Sequence, residues 1–486
     1  MEREICVKKI SVARKILAFC SILLFFSPSI LFAEGLESHM DPAAPVILWV
    51  TLIFLFGIFG RFLALRFSQP GVLGELLMGV IIGNICYFFG LQLAVVLREG
   101  SSVFNVIHDL LGGFSLEKAV THSIPNSHYG NEVISALSSK DGVNLIRVAY
   151  VVDIFSRYGV IFLLFMAGLE SSIQDIKNAG RESLQVAIIG VVAPMILGFI
   201  IIYILMPESS LNAVLFVSAT LSATSVGITA RVLKDLNKLK THVARTILGA
   251  AMIDDILGLV ILAIVSSLII GGSINPWVIS QILLVVVIFL VSVLFFGPFV
   301  LKKAVGFFKF LDPWEEKLVI SFLFLMTLAY LATLAQLAMI VGAFAAGIIM
   351  HDGIFKNDKE DRKNTLTIKE LVAPLEALLA PLFFVLIGIQ VKIESFLDWH
   401  VITVALGLIV AAILGKLISG LGGLIKGDRL LIGIGMLPRG EVGLIFASIG
   451  KTLGVISDEL FSAIILMVII TTVIAPIWLK SRFARS

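Results

Sequence analysis

Charged side chains are scarce in this sequence. Of its 486 residues only 15% are Asp, Glu, Lys or Arg, whereas 58% are hydrophobic. An ordinary soluble domain is about 25% charged and about 45–50% apolar. A chain this long cannot hide so much apolar surface in one aqueous core. The composition therefore excludes an ordinary soluble protein and predicts an integral membrane protein, in which lipid solvates the apolar surface.

Cysteine is also scarce, with only Cys6, Cys20 and Cys86 scattered through apolar stretches. This spacing excludes a disulfide framework, a cysteine metal site and a c-type haem attachment site. We therefore expect no cofactor. The net charge of +3 is small and gives no indication of a nucleic-acid partner, so none is expected.

The first 33 residues have the pattern of a secretory signal peptide. Lys8, Lys9, Arg14 and Lys15 precede an apolar run over residues 16–32, and Ala33 could close a cleavage site. Leu31 stands where such a site prefers a small residue. The alternative to cleavage is a retained extra helix.

The remainder of the chain, residues 41–486, consists mostly of apolar runs. About 17–25 residues cross a bilayer as a helix, and the runs are continuous instead of alternating, which excludes a β-barrel. The sequence predicts an all-α protein with about thirteen membrane-spanning helices. The predicted spans are 45–65, 71–92, 151–169, 184–206, 211–233, 244–270, 276–301, 315–335, 338–352, 371–390, 400–423, 429–450 and 458–479.

Lys and Arg recur in every second connection between these spans and again after the last one. The intervening connections, such as 207–210 and 271–276, are nearly free of them. By the positive-inside rule, the mature N-terminus is predicted to lie outside and the C-terminus in the cytoplasm of a multi-pass protein of the cell (inner) membrane. We expect no soluble C-terminal regulatory domain. Residues 93–149 are predicted to form an external insertion with one or two interfacial helices.

Most charged residues lie near the ends of the predicted spans, where their side chains can reach water, but two places are different. Asp254 and Asp255 lie near the middle of the sixth span, and Lys416 lies within the eleventh. Each costs about 2.5–3.5 kcal/mol in a bilayer core, so such residues are usually functional. A static salt bridge between helices would need one acid and one lysine. Two adjacent acids leave one carboxylate over, which must be protonated, bind a cation or alternate between the two.

Two predicted spans are interrupted by small and helix-breaking residues. The fifth contains SATLSATSVGITARVL (218–233), and the twelfth contains GMLPRGEVGLIFASIG (435–450). Kinked packing helices are one interpretation, and discontinuous helices that form a transport site are the other. If spans two to seven and eight to thirteen are repeats, the two breaks are one element out of register.

The sequence resembles the monovalent cation:proton antiporter-2 family, in particular its electrogenic Na⁺/H⁺ members. The resemblance covers nearly the whole chain after residue 40. It rests on six segments in order: QPGVLGELLMGVIIG (69–83), LLFMAGLE (163–170), SATSVGITARVL (222–233), ILGAAMIDDILGLVILAI (247–264), PLFFVLIGIQV (381–391) and GMLPRGEVGLI (435–445).

The resemblance implies an inverted-repeat antiporter fold with two crossed discontinuous helices, in a homodimer that works by an elevator-like motion. It implies that Asp255 binds the transported Na⁺ and the proton in turn, and that Asp254 pairs with Lys416. The residues it implies at the helix breaks, in supporting roles, are Thr224, Ser225, Arg439 and Glu441.

The predicted function is therefore secondary transport, and no enzymatic reaction is expected. Potassium-efflux relatives carry Gln-Asp where this chain has Asp254 and Asp255. Sodium, or lithium, is accordingly preferred to potassium as the substrate. A K⁺/H⁺ antiporter, an antiporter for an organic anion, a cation channel and a sensor without transport are the alternatives. His242 and His351, at predicted cytoplasmic span ends, are candidates for pH sensing.

Overall fold

The computed structural model describes residues 41–483, except for positions 42, 68, 101, 125–126, 171–179, 237, 239–240, 272–275 and 356–365. The predicted signal peptide, residues 1–33, lies outside the described residues. Within the described part of the chain the regular secondary structure is helical and contains no β-strand. The prediction of an all-α protein is confirmed.

The described α-helices are numbered here in chain order. They are α1 Ala44–Arg66, α2 Gly71–Phe88, α3 Gln92–Glu99, α4 Ser102–Leu111, α5 Leu116–Ser123, α6 Ser127–Leu137, α7 Gly142–Glu170, α8 Gly180–Leu205, α9 Leu211–Thr220, α10 Val226–Asp235, α11 His242–Gly271, α12 Pro276–Phe307, α13 Pro313–Leu334, α14 Met339–Ile349, α15 Ile368–Ile389, α16 Trp399–Ser419, α17 Arg429–Gly435, α18 Glu441–Thr452 and α19 Asp458–Phe483.

Ten of the helices in the described residues are long and apolar enough to cross a membrane. They are α1, α2, α7, α8, α11, α12, α13, α15, α16 and α19. Four of them contain an internal proline, namely Pro194 in α8, Pro298 in α12, Pro374 and Pro381 in α15, and Pro476 in α19. Membrane helices tolerate such prolines because neighbouring groups satisfy the freed backbone carbonyls. From the number and length of these helices we conclude that the chain is a multi-pass membrane protein.

The fifth and twelfth predicted spans are each two helices with a break between them. Helices α9 and α10 are separated by residues 221–225, and α17 and α18 by residues 436–440. In the first break the hydroxyls of Thr220 and Ser222 donate to backbone carbonyls of the preceding turn, which satisfies groups that a continuous helix would pair. In the second, Pro438 cannot donate a backbone hydrogen bond.

The two broken helices occupy equivalent places in the order of membrane elements. Counting from α2, the pair α9–α10 is the fourth element; counting from α14, the pair α17–α18 is also the fourth. The mismatch of one element disappears when the second repeat begins at α14 instead of α13. The ninth span, α14, has 11 residues, fewer than the roughly 17–25 of a full membrane span, so apolar length alone does not mark its ends.

The described residues form two compact units. One unit comprises residues up to Ser156 together with Pro381–Gln390, and the other comprises Arg157–Ala380 and the residues from Val391 onward. In the first unit α1 and α2 form an antiparallel hairpin. The Glu75 carboxylate is fully buried there and accepts a hydrogen bond of 2.5 Å from Nε of Arg61. Because the buried Glu75 carboxylate has a cationic partner, we interpret this ion pair as a structural contact between α1 and α2.

Two glycines allow the helices of this hairpin to touch. A Cβ atom at Gly74 would lie 2.1 Å from the Gly60 carbonyl oxygen, and one at Gly60 would lie 2.2 Å from the Gly74 carbonyl oxygen. Real Cβ atoms do not approach a backbone oxygen so closely, so any side chain at either position forces α1 and α2 apart. Close helix approach through small residues is a usual device in membranes.

The substitution Gly74→Ala is expected to destabilise the protein by about 1–3 kcal/mol, the usual cost of overpacking. The matched control is Gly306→Ala, because a Cβ at Gly306 would meet nothing within 4 Å and alanine is the better helix former. Thermal unfolding in detergent measures both. Equal midpoints for the two variants would contradict the close α1–α2 contact.

The insertion at residues 93–149 contains more helix than the sequence suggested. Instead of one or two helices it holds four short ones, α3 to α6, and the first turns of α7. The short helices have their own core of buried residues, namely Val106, Ala119, Val120, Ile124 and Val133. The predicted third span began at residue 151, but α7 begins at Gly142, since Asn144 and Arg147 interrupt the apolar run without interrupting the helix.

Arg98 attaches the insertion to the end of α2. Its side chain is buried, its guanidinium lies 3.8 Å from the centre of the Tyr87 ring, and it donates to Asn84. The Tyr87 hydroxyl in turn donates to the Glu132 carboxylate at 3.0 Å. Helices α3 and α6 are thereby tied to one membrane helix of the same unit.

In the second unit α8 packs against α11 and α16. The contact with α16 is close, because a Cβ at Gly415 would lie 2.6 Å from Cα of Pro194. Gly415 is next to Lys416, and the core of this region is formed by residues of α8, α10, α11, α17 and α19. The fold therefore holds the helices that carry Asp254, Lys416 and the second break in one tightly packed body.

Candidate ion-binding site

Asp254 and Lys416 form a buried ion pair. Nζ of Lys416 lies 3.2 and 3.3 Å from the two carboxylate oxygens of Asp254. The exposed fraction of the side chain is 1% for Asp254 and 0% for Lys416. A charge so fully removed from water needs a partner, and here each charge has the other.

Asp255 is placed differently from its neighbour. Consecutive residues of a helix point about 100° apart, so Asp255 faces another direction and is only partly buried. Among the residues that the structure describes, no hydrogen bond or ion pair engages its carboxylate. Asp254, Glu441 and Lys416 all lie close enough to act on it electrostatically. Asp255 is the carboxylate that the Asp254–Lys416 pair leaves over.

The two helix breaks meet at this pair of aspartates. The backbone N–H of Ser225 donates to the Pro438 carbonyl at 2.9 Å, and the Thr224 hydroxyl donates to the Met436 carbonyl at 3.4 Å. The Thr224 side chain also lies next to the Asp254 carboxylate and acts on it. Thr224 and Ser225 thus join the first break to the second, and Thr224 joins both to the ion pair.

Arg439 is the second buried cation of the site. Its side chain has no exposed surface, and one terminal nitrogen donates to the Ala223 carbonyl at 2.8 Å. Its charge acts on both Asp254 and Lys416, and its own carbonyl accepts a hydrogen bond from the Thr472 hydroxyl. Arg439 therefore links the two breaks and α19, and it supplies positive charge beside the aspartates.

Glu441 is the third carboxylate of the site. It is the first residue of α18, where a negative charge is favoured by the helix dipole. The Ser225 hydroxyl donates to its carboxylate oxygens at 3.1 and 3.4 Å. The six sequence-predicted residues at and around the breaks, together with Asp255, are therefore brought to one place by α9–α10, α11, α16 and α17–α18.

The chemistry of this arrangement suits an alkali cation and a proton. Carboxylate, hydroxyl and carbonyl oxygens are the ligands that hard cations prefer. Three carboxylates, Asp254, Asp255 and Glu441, face two cationic side chains, Lys416 and Arg439. When all five side chains are charged, the negative charges exceed the positive charges by one. Either a proton or a monovalent cation can neutralise this excess.

Sequence reasoning missed Thr229 and the backbone carbonyls at the crossing of the two breaks. Thr229 donates to the Gly435 carbonyl at 2.6 Å, and the carbonyls of Ala223, Met436 and Pro438 all accept at the crossing. Backbone carbonyls carry no signature in a sequence. The crowding of Thr and Ser in the fifth span was the only signal for Thr229.

The histidine candidates are in different surroundings. His242, the first residue of α11, lies 3.1 Å from the Glu182 carboxylate and 3.6 Å from that of Asp428. Nδ1 of His351 lies 3.0 Å from the Ile349 carbonyl. The role of either residue in pH sensing stays a prediction.

Comparison with known families gives a match over most of the chain. Residues 129–484 match the family described as sodium/hydrogen exchanger, transmembrane. The high-affinity Na⁺/H⁺ antiporter NhaS3 of Synechocystis is 34% identical over 468 residues, which cover 94% of each chain. The Na⁺/H⁺-K⁺ antiporter GerN of Bacillus cereus is 31% identical over 431 residues, which cover 87% of this chain and 92% of that one.

A solved structure shares the architecture. The sodium proton antiporter MjNhaP1 of Methanocaldococcus jannaschii superimposes with a TM-score of 0.55 and 18% identity, over 91% of this chain and 98% of that chain. At this level of identity the likeness concerns the fold alone. The two interrupted helices and the ten long helices of the described residues accordingly belong to an antiporter fold.

Proposed function

Because the chain belongs to the sodium/hydrogen exchanger family, we propose that it is a secondary antiporter that exchanges Na⁺ for protons across the membrane at Asp255. Asp255 binds a proton in one half of the cycle and a sodium ion in the other. Both carry one positive charge and both occupy the same carboxylate, so the binding of one excludes the other.

The observation that supports this proposal most directly is the unequal engagement of two adjacent aspartates. Lys416 bonds to both oxygens of Asp254, and the Asp255 carboxylate stands beside that pair and is partly buried. A static salt bridge accounts for Asp254 and Lys416 and leaves Asp255 without an explanation. An exchanging site accounts for all three.

The ion pair also gives a reason for electrogenic exchange. Sodium bound at Asp255 brings a positive charge beside Lys416 and competes with the lysine for Asp254. If the lysine is released and gives up its proton, one proton leaves Asp255 and one leaves Lys416 for each sodium ion that binds. More protons than cations then cross in opposite directions, and the membrane potential contributes to the driving force.

Sodium is the proposed substrate, with lithium as an additional one. The relatives NhaS3 and GerN are both named as Na⁺/H⁺ antiporters, and the name of GerN also includes K⁺. Potassium is therefore the alternative that the relatives favour.

Everted membrane vesicles test the substrate. After respiration acidifies the vesicle interior, Na⁺ or Li⁺ added outside is expected to release protons, and the half-maximal concentration should be lowest for these two ions. K⁺ is expected to act at least about ten-fold more weakly, which corresponds to about 1.4 kcal/mol. Equal or stronger release by K⁺ would contradict sodium as the substrate.

A further inference from the structure

A second, exposed ion pair lies outside the buried site. Nζ of Lys369 is 2.5 Å from a carboxylate oxygen of Glu170. The exposed fractions of the two side chains are 55% and 60%. Glu170 is the last residue of α7 and Lys369 is the second residue of α15. Basic connections predict that both residues lie on the cytoplasmic side.

The backbone around Lys369 is held in place. Thr367 and Glu370 form a capping box at the start of α15: the Thr367 N–H and hydroxyl donate to the Glu370 carboxylate at 2.8 and 2.9 Å, and the Glu370 N–H donates to the Thr367 hydroxyl oxygen at 3.2 Å. Nζ of Lys317 donates to the Leu366 carbonyl at 2.9 Å. The backbone of Lys369 is therefore fixed, whereas its side chain, which ends in the ammonium group, is flexible.

Glu170 leads from this exposed pair toward the buried site. Its carboxylate lies close enough to Glu441 to act on it electrostatically, and Glu441 acts in the same way on Asp255. Glu441 itself is held by the Ser225 hydroxyl at the first break. The three carboxylates therefore act on one another in order, from the exposed Glu170 through Glu441 to the surplus Asp255.

We propose that Glu170 is the first carboxylate that binds a cation arriving from the cytoplasmic side, and that Lys369 is a tethered cation that competes with it. The inference rests on the proposed exchange function and adds an entry site to it. An alkali ion and an ammonium group need the same carboxylate oxygens. Exposed ion pairs are weak, so a dissolved cation can displace Lys369 from the Glu170 carboxylate.

The experiment compares apparent KM and maximal rate in everted vesicles, where the predicted cytoplasmic face is outside. The variant Lys369→Gln is expected to lower the KM for Na⁺ about two- to five-fold, the range for an exposed pair, with the maximal rate unchanged. Glu170→Gln is expected to raise the KM by a similar factor. Since Lys369 acts through Glu170, the double variant should equal Glu170→Gln alone.

The matched control is Lys302→Gln, which removes an equal charge from an exposed position on the same predicted face, at the end of α12. A general change of surface potential would lower the KM in this variant too. The effect of Lys369→Gln should also shrink as choline chloride raises the ionic strength, because salt screens exposed charges. A KM equal to that of Lys302→Gln, or a double variant that is the sum of the two single variants, would overturn the inference.

The two proposals fail in different ways. If the wild type exchanges Na⁺ for protons but Lys369→Gln leaves the KM unchanged, the entry site is wrong and the exchange function stands. If the wild type does not exchange, both are wrong. In right-side-out vesicles, where the added Na⁺ meets the opposite face, Lys369→Gln is expected to have no effect on the KM, and an equal effect from both faces would contradict the entry site.

Discussion

Replacement of Asp255 by asparagine is expected to reduce Na⁺-dependent proton release by at least about a hundred-fold, which corresponds to about 2.7 kcal/mol. Asparagine has nearly the same shape, so the packing of α11 is kept. It neither takes up a proton nor carries a negative charge, so it serves neither half of the exchange cycle. The measurement is the initial rate of proton release in everted vesicles.

The matched control for Asp255→Asn is the same change at Asp398. The Asp398 side chain caps α16 by accepting from the His400 N–H, and asparagine is an equally good cap, so exchange should be unchanged. Size-exclusion chromatography and thermal unfolding establish that the Asp255 variant is folded. A folded Asp255→Asn protein with full exchange activity would show that another group carries the ion.

Replacement of Lys416 by alanine is expected to leave exchange in place but remove its dependence on membrane voltage. Without the lysine, the Asp254–Lys416 pair no longer contributes its proton, so one cation exchanges for one proton. The variant is also expected to lose about 3 kcal/mol of stability, because a buried carboxylate is left without its partner. Exchange with and without an imposed potassium–valinomycin potential, together with the thermal midpoint, measures both effects.

The double variant Lys416→Ala, Asp254→Asn separates the two consequences. It removes both charges of the buried pair, so the stability lost in the single variant should return in large part. Voltage dependence should remain absent, since the extra proton still has no carrier. Retained voltage dependence in Lys416→Ala would contradict the role of the pair, and a double variant no more stable than the single one would contradict the uncompensated charge.

The sequence predicted the parts of this fold whose signals are strong. Continuous apolar runs gave the membrane helices, and the runs of Ser, Thr, Gly and Pro in the fifth and twelfth spans gave the two breaks. Asp254, Asp255 and Lys416 stood out because charge inside a membrane is costly. The contact between Asp254 and Lys416, 162 residues apart in sequence, is observed in the structure.

Other features were beyond the sequence for physical reasons. The start of α7 at Gly142 was missed because Asn144 and Arg147 interrupt the apolar run in the sequence, while the backbone hydrogen bonds of the helix continue through them. The carbonyls that Thr224, Thr229 and Arg439 contact are backbone atoms, which every residue has. The Glu170–Lys369 pair joins two exposed helix ends 199 residues apart, and surface charges carry no sequence signal for their partners.

Purified protein in proteoliposomes tests the central claim, that one surplus carboxylate exchanges a sodium ion for a proton. An outward Na⁺ gradient should acidify a lumen that is initially at the same pH as the medium and hold it acidic against the resulting proton gradient. Asp255→Asn liposomes should show no such acidification. Exchange that persists in Asp255→Asn, or a wild type that only dissipates existing gradients, would contradict the account.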